Sequence, residues 1–322
     1  MHPDIGSFPF TDENGTIWLA FTEWGDLGND KVVICVHGLT RQGRDFDELA
    51  RALSEDFWVI SVDVAGRGRS GWLVDKTAYN YDTYMRHMDG MLDYRGLTSV
   101  DWIGTSMGGM MGMLMAARPD TPIRRLVVND IGPFIPKEAL ERIGSYVGGA
   151  PSFPNLQAAG AYFRYVHSAF GELTDLQWSD MTVHSVHREA NGSYNLHYDP
   201  AIADAFAGLI NDLNLWPVYD KIDMPTLVLR GATSDLLSAD TARQMTQRGP
   251  WAELVEFPDC GHAPALMDEA QIQAVHDWLL TDHFDENVDE DEDEAATETP
   301  AEAATEATTE AKNKEGGGAS SE

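Results

Sequence analysis

Along the first 130 residues, short runs of β-branched and aromatic side chains alternate with longer stretches whose apolar positions recur at helical spacing. The short runs predict strands at Ile17–Phe21, Lys31–Val36, Phe57–Val62, Val100–Gly104 and Arg125–Asn129. Between them the pattern predicts helices over Asp45–Leu53, Tyr81–Leu92 and Ser106–Arg118. Val32–Val36 and Leu126–Val128 are apolar without alternation, as strands covered on both faces are. Strands alternating with helices build βαβ units, so the expected class is α/β with a mostly parallel, doubly wound sheet.

After Asn129 this rhythm stops. From about Phe134 to Asp220 no strong strand run occurs, and Gly148-Gly149, Pro151 and Pro154 punctuate helix-like pieces. Large rings gather there: Tyr146, Phe153, Tyr162, Phe163, Tyr165, Phe170, Trp178 and Trp216. The βα pattern resumes with strands at Thr226–Arg230 and Glu253–Phe257 and a helix near Glu269–Leu280. The expected organisation is a core of residues 1–133 and 221–284, with a helical cap, 134–220, inserted between the sheet halves. An ordinary run of core helices fits the same stretch. From 285 to 322 aromatics vanish and Ala, Thr and Glu repeat, a composition that cannot bury enough surface to fold and predicts a disordered tail.

Charge narrows the functions. The 322 residues carry 53 acids against 22 bases, a formal net charge of −31. The tail holds 14 acids and two lysines, which leaves −19 on the rest. That sign repels phosphate backbones and anionic lipid, which argues against nucleic-acid binding. No run approaches the roughly 18 apolar residues of a membrane span. The start, Met1-His2-Pro3-Asp4, lacks the basic and apolar regions of a secretory signal. Two cysteines make no disulfide framework, and Cys35 lies within an apolar run as a small core residue. A cytoplasmic protein is expected.

The sharpest chemical signal is Gly104-Thr105-Ser106-Met107-Gly108, which follows one expected strand and opens a helix. G-x-S-x-G between strand and helix is a nucleophile elbow, whose turn is too tight for side chains at its glycines. Serine needs an adjacent base held by a third group. His262, in Asp259-Cys260-Gly261-His262-Ala263-Pro264, lies in a Gly- and Pro-flanked loop past a strand and is the expected base. Asp235 follows Thr226–Arg230 and is the expected acid; a turn-forming aspartate is the plainer alternative. The methionines at 107, 110, 111, 113 and 115 read as flexible core packing. No spacing matches a zinc, calcium, Walker or dinucleotide motif.

In this order and context, Ser106, Asp235 and His262 make the sequence resemble the α/β-hydrolase fold superfamily, from about residue 10 to 283. His37-Gly38-Leu39 resembles that family's His-Gly loop, and Asp63-Val64-Ala65-Gly66-Arg67-Gly68-Arg69-Ser70 its D-x-x-G-x-G-x-S turn. Ala65 departs from the arginine common in relatives, which bears on loop support. The resemblance implies oxyanion donors at the backbone N–H groups of Leu39 and Met107. Some members of that family place the acid where Asp130 stands, directly after Arg125–Asn129, but Asp235 has the more usual spacing to His262, and Asp130 is read as a turn or cap-hinge residue. His37 is expected to shape its loop, not to act as a base.

The resulting expectation is a cofactor-free serine hydrolase that cleaves small to medium carboxylic esters through an acyl-enzyme. A serine elbow argues against epoxide and halide chemistry, which in this superfamily use aspartate there. Lactone or enol-lactone hydrolysis, C–C hydrolysis of ring-cleavage products and perhydrolysis remain alternatives, as does a non-catalytic ligand-binding protein. Arg41 and Arg44 could grip a substrate carboxylate, against the plainer reading that they pair with Asp45 and Asp47. These motifs encode neither the natural substrate nor the oligomeric state.

Overall fold

The computed structural model describes residues 2–13, 15–206 and 211–283. Strands β1 (Asp4–Asp12) and β2 (Gly15–Trp24) form a hairpin, followed by β3 (Val32–Val36) and α1 (Asp47–Leu53). Next come β4 (Trp58–Val62), α2 (Tyr81–Arg95), β5 (Val100–Thr105), α3 (Met107–Ala116) and β6 (Ile123–Asn129). The inserted segment carries β7 (Phe134–Ile135), α4 (Lys137–Tyr146), β8 (Ser152–Phe153), α5 (Leu156–Val166) and α6 (Asp175–Ser185). It continues through β9 (Val186–Arg188), β10 (Tyr194–Leu196), β11 (Leu213–Asn214) and α7 (Trp216–Tyr219). Then follow β12 (Thr226–Gly231), α8 (Ala239–Met245), β13 (Glu253–Phe257) and α9 (Glu269–Leu280).

The main sheet has eight strands in the order β1-β2-β4-β3-β5-β6-β12-β13. From β4 to β13 every pairing is parallel; β2 alone runs against the rest, antiparallel to β1 on one side and to β4 on the other. Alternate residues of the central strands feed opposite faces. Val33, Cys35, Val59, Ile103 and Val127 pack with Phe46, Leu49, Val275 and Trp278 of the α1 and α9 side. Their neighbours Ile34, Ile60, Trp102 and Val128 pack with Met88, Met111 and Met245 of the α2, α3 and α8 side. Coverage on both faces explains the unbroken apolar runs of the sequence. The expected α/β architecture is the observed one.

Strand β1 escaped the sequence pattern because only Phe8 of its nine residues is buried, and Gly6 and Pro9 interrupt it. It is an edge strand with little apolar signal. The inserted segment differs from an all-helical cap, since β8, β10 and β9 form one small sheet and β11 pairs with β7 in another. Strands of two or three residues are too short to show a period in sequence.

β12 lies directly beside β6, so the segment between them returns the chain to the neighbouring position in the sheet. On the way it covers loops at the carboxyl ends of the parallel strands. The Gly68 N–H donates to the His197 carbonyl at 2.9 Å, and the Asp199 N–H to the Gly66 carbonyl at 2.8 Å. The Gly261 N–H reaches the Ala169 carbonyl at 2.7 Å, and Gln177 Nε2 the Met267 carbonyl at 2.9 Å. Among the described residues no helix is long and apolar enough to cross a membrane. The acidic tail expected from 285 onward lies outside the described residues.

Candidate active site

Ser106 joins β5 to α3 with φ 53° and ψ −110°, a left-handed conformation that serine rarely adopts. Close packing on both sides imposes it. A Cβ on Gly104 would lie 2.2 Å from the Gly108 carbonyl oxygen, and a Cβ on Gly108 2.0 Å from that of Val36. Trp102 Nε1 donates to the Gly108 carbonyl at 3.0 Å, and the Ser106 N–H to the Asn129 carbonyl at 2.9 Å. The hydroxyl is thereby turned out at the carboxyl edge of the sheet and remains partly exposed.

His262, in the loop between β13 and α9, meets this hydroxyl: its Nε2 lies 3.0 Å from Ser106 Oγ. Its Nδ1 lies 2.8 Å from Oδ2 of Asp130, not from Asp235. Asp130 follows β6 at φ 55° and is fully buried. Its Oδ2 also accepts from the Ser234 hydroxyl at 2.6 Å, and its Oδ1 from the Gly231 N–H at 2.9 Å. Three donors thus fix the carboxylate in place. Asp235 is 58% exposed and pairs with Arg142 at 2.5 Å, so the expectation that it would hold His262 is corrected. The loop after β12 does join the site, but through Gly231 and Ser234 as donors to Asp130. Burial first, then neighbouring carboxylates including Asp130, push the Cys260 thiol up to about 11, so it stays protonated near neutral pH.

The turn after β3 faces the elbow. The Arg41 N–H closes it on the Gly38 carbonyl at 3.1 Å, leaving Leu39 as a central residue of the turn. His37 braces it: Nδ1 lies 2.7 Å from the Gly38 carbonyl and Nε2 accepts from the Val64 N–H at 3.0 Å. Burial, with the charges of Arg67 and Arg41 adding, pushes His37 down to about 3, so it stays neutral and shapes the loop. Met107 is the first residue of α3, where backbone N–H groups have no intrahelical acceptor. A Cβ on Gly38 would lie 3.7 Å from Ser106 Cβ, which places the two loops against each other.

Above the site, the inserted segment contributes rings. His167 is stacked between Phe163, at 5.9 Å, and Phe170, at 4.5 Å, and Tyr162 meets both Phe153 and Phe163. Tyr165, by contrast, is 82% exposed, and Trp216 packs on Tyr219 and Arg248. Arg41 is buried; its Nε and Nη2 grip Asp45 at 2.6 and 2.7 Å, and its Nη1 reaches His167 Nε2 at 3.3 Å. Burial, then the charges of Arg41 and His262, drive the His167 pKa well down, so its neutral ring accepts from Arg41. Arg44 pairs with Asp47 at 2.5 Å and makes no hydrogen bond to Ser106 or His262. Among the described residues no group of three His, Cys, Asp or Glu side chains could hold a metal ion.

Two supporting residues carry little signal in the sequence. Asn129 Nδ2 ties Thr105 Oγ1, at 3.0 Å, to the Pro264 carbonyl, at 2.8 Å, and so links the elbow to the His262 loop. Its one signal is an amide at the end of an otherwise apolar strand. His167 has none, because helical context alone does not aim a ring at a site.

The profile of the alpha/beta hydrolase fold matches residues 31–268. Over 280 residues the chain is 40% identical to 3-hydroxybutyrate-oligomer hydrolase of Cupriavidus necator, covering 84% of this chain and 95% of that protein. It is 26% identical over 267 residues to 2-hydroxy-6-oxo-2,4-heptadienoate hydrolase of Pseudomonas putida, covering 81% and 93%. The crystal structure of an α/β hydrolase from Novosphingobium aromaticivorans superimposes with a TM-score of 0.77 at 34% identity, covering 87% and 99%.

Proposed function

The chain belongs to the α/β-hydrolase fold family, and from that premise we propose that it is a serine ester hydrolase acting on short oligomers of a 3-hydroxy acid. The observation that carries this reading is the hydrogen-bond chain from Ser106 through His262 to Asp130. Ser106 Oγ attacks the ester carbonyl while His262 Nε2 takes its proton, and Asp130 holds the ring in the Nδ1–H tautomer and balances the imidazolium. The developing oxyanion is received by the Leu39 and Met107 N–H groups, each such donor being worth about 2.7–4 kcal/mol of barrier. His262 returns the proton to the leaving alkoxide, which departs as the hydroxyl end of the shortened oligomer. A water then gives a proton to His262 and attacks the acyl-enzyme, and as the bond to Ser106 Oγ breaks His262 passes that proton to Ser106 and the acid is released. Ester and water become acid and alcohol, with no other reactant.

The substrate class rests on the 40% identical relative, named for 3-hydroxybutyrate oligomers. Such oligomers carry ester links, a free carboxylate and a hydroxyl. The ring-lined segment 134–220, read as a cap, would wall the apolar backbone of the oligomer, and Arg41 is the buried cation that could meet its carboxylate. Both arginines are engaged by neighbouring carboxylates, but only Arg41 also reaches His167 above the site, so Arg44 has no part in this reading.

The test is hydrolysis of linear 3-hydroxybutyrate dimers and trimers, beside p-nitrophenyl esters of graded acyl length, by wild type and Ser106→Ala. The expected result is turnover of both series, lost in Ser106→Ala. Cleavage of esters but not oligomers would remove the substrate assignment and keep the chemistry. Inertness on all esters with cleavage of a dienoate ring-cleavage product would replace ester by C–C hydrolysis.

A further inference from the structure

Arg67 sits in the D-x-x-G-x-G-x-S turn that follows β4, fully buried, and its guanidinium pairs with no carboxylate of the described residues. A buried cation without an anion is disfavoured by desolvation, and folds retain one only where its hydrogen bonds and charge serve something. The turn is built to aim it inward. The Gly43 N–H and the Arg69 N–H donate to the Asp63 carboxylate at 2.7 and 2.9 Å, and a Cβ on Gly68 would lie 2.5 Å from Asp63 Cγ.

The partners of Arg67 are unexpected for a packing residue. Its Nε donates to the Leu39 carbonyl at 2.9 Å, and its Nη2 lies 3.5 Å from Met107 Sδ. Its Nη1 donates to the Ala65 carbonyl and to the Tyr84 hydroxyl, both at 2.8 Å. Leu39 lies in the turn after β3 and Met107 opens α3, and they are the two residues assigned above as oxyanion donors. One planar cation therefore spans both sides of the oxyanion hole from behind. A planar fork with five donors can do this where a lysine ammonium cannot. Its charge also reaches the loop electrostatically, adding to the forces that keep His37 neutral.

We propose that Arg67 is the positioning residue of the oxyanion hole: it holds the Leu39 carbonyl and the Met107 side chain relative to Ser106 and places a positive charge behind the developing oxyanion. Resting on the serine-hydrolase reading, it adds a residue that touches neither substrate nor the reacting atoms. It also gives a role to the one of the turn's two arginines that is fully buried, since Arg69 is the partner of Asp63. The same residue forms a β-bridge to Tyr198 of the inserted segment, so the turn is held from both sides.

The test compares wild type, Arg67→Met and Arg67→Lys on p-nitrophenyl acetate, with rates expressed per active site after titration with a fluorophosphonate. Arg67→Met keeps the length of the stem and removes the fork and the charge. It should lose about 10²-fold in kcat with KM changed less than about threefold, as when an oxyanion donor is lost. Affinity for a trifluoromethyl ketone, which forms a tetrahedral oxyanion, should fall by the same factor. The acid limb of the kcat/KM pH profile should not move, because His262 and Asp130 are untouched. Arg67→Lys should recover part of kcat by restoring charge, and guanidinium at low millimolar concentration should partly rescue Arg67→Ala. A packing role alone predicts fewer active sites with unchanged kcat per site and unchanged ketone affinity, and that result overturns the proposal. If Arg67→Met does not fold, Arg67→Lys decides: wild-type kcat and ketone affinity there would overturn it. A wild type that neither turns over esters nor labels at Ser106 would overturn the serine-hydrolase reading, and this proposal with it.

Discussion

Replacing Asp130 by Asn should cost far more than replacing Asp235 by Asn, although both follow strands of the same sheet. Asp130 is buried and accepts three hydrogen bonds, from His262, Ser234 and Gly231. An amide there must direct its NH₂ toward one side of that set. Turned to the Oδ1 position it opposes the Gly231 N–H, leaving two buried donors face to face at a cost of about 1–3 kcal/mol. Turned to the Oδ2 position it meets the Ser234 hydroxyl, whose oxygen already accepts from the Leu236 and Leu237 N–H groups and whose proton can rotate away, and His262, which must then present Nδ1 as an acceptor. The second arrangement is the cheaper one. It forces the Nε2–H tautomer, which cannot take the Ser106 proton. The expected loss in kcat is about 10⁴-fold, or about 5.4 kcal/mol of barrier at 1.36 kcal/mol per decade. Asp235 is 58% exposed and its partner Arg142 44%. Such a pair contributes ~0–1 kcal/mol to stability, and Asp235→Asn should stay within about twofold of wild-type kcat. Initial rates on p-nitrophenyl acetate, corrected for folded fraction by circular dichroism, decide it. An Asp130→Asn enzyme within tenfold of wild type, or an equal loss in Asp235→Asn, would refute the reasoning.

Three further substitutions probe other parts of the molecule. Gly108→Ala puts a Cβ 2.0 Å from the Val36 carbonyl, backbone against backbone, so activity should vanish and the melting temperature fall. Unchanged rates would show that the elbow can relax. His87 is buried with an unpartnered Nδ1, and burial, with Arg86 adding and Asp12 opposing, pushes its pKa down to about 4. The unfolded chain thus takes up this proton first. The stability His87 supports is present above pH 6.5 and is lost as pH falls toward 4, by up to about 1.36 kcal/mol per pH unit. The urea midpoint of His87→Leu relative to wild type should therefore be higher at pH 5 than at pH 7.5; an equal difference at both would remove the linkage. Arg41→Ala should weaken hydrolysis of an acid-terminated hydroxybutyrate dimer by about tenfold more than that of its methyl ester, in line with a charged hydrogen bond. Equal effects would leave Arg41 as a loop brace through Asp45.

Ser106 was legible because its conformation demands glycine on both sides, and a demand on residue type leaves a motif. His262 was legible for a related reason, lying between Gly261 and Pro264 just beyond a strand. The acid was not. β6 and β12 are neighbours in the sheet, so the loops that follow them, with Asp130 and Asp235, open side by side at the same edge. Sequence spacing cannot tell which carboxylate turns inward. The backbone decides: Asp130 stands directly at the end of β6 with φ 55°, whereas Asp235 lies four residues past Gly231, where the chain has already run out to Arg142. The parallel strands were legible from apolar runs, and β1 was hidden because an edge strand buries almost nothing. Arg67 stood inside a motif whose glycines drew attention first, and its partners come from the loop after β3 and the start of α3, far apart in sequence.

The most direct test of the account is to quench the enzyme in acid during turnover of a 3-hydroxybutyrate trimer and locate the trapped acyl group by mass spectrometry. A hydroxyacyl adduct is expected on the peptide containing Ser106, absent from Ser106→Ala and accumulating in His262→Gln only if added substrate is strongly activated. Steady turnover with no adduct at Ser106, or an adduct on another residue such as Cys260, would contradict it.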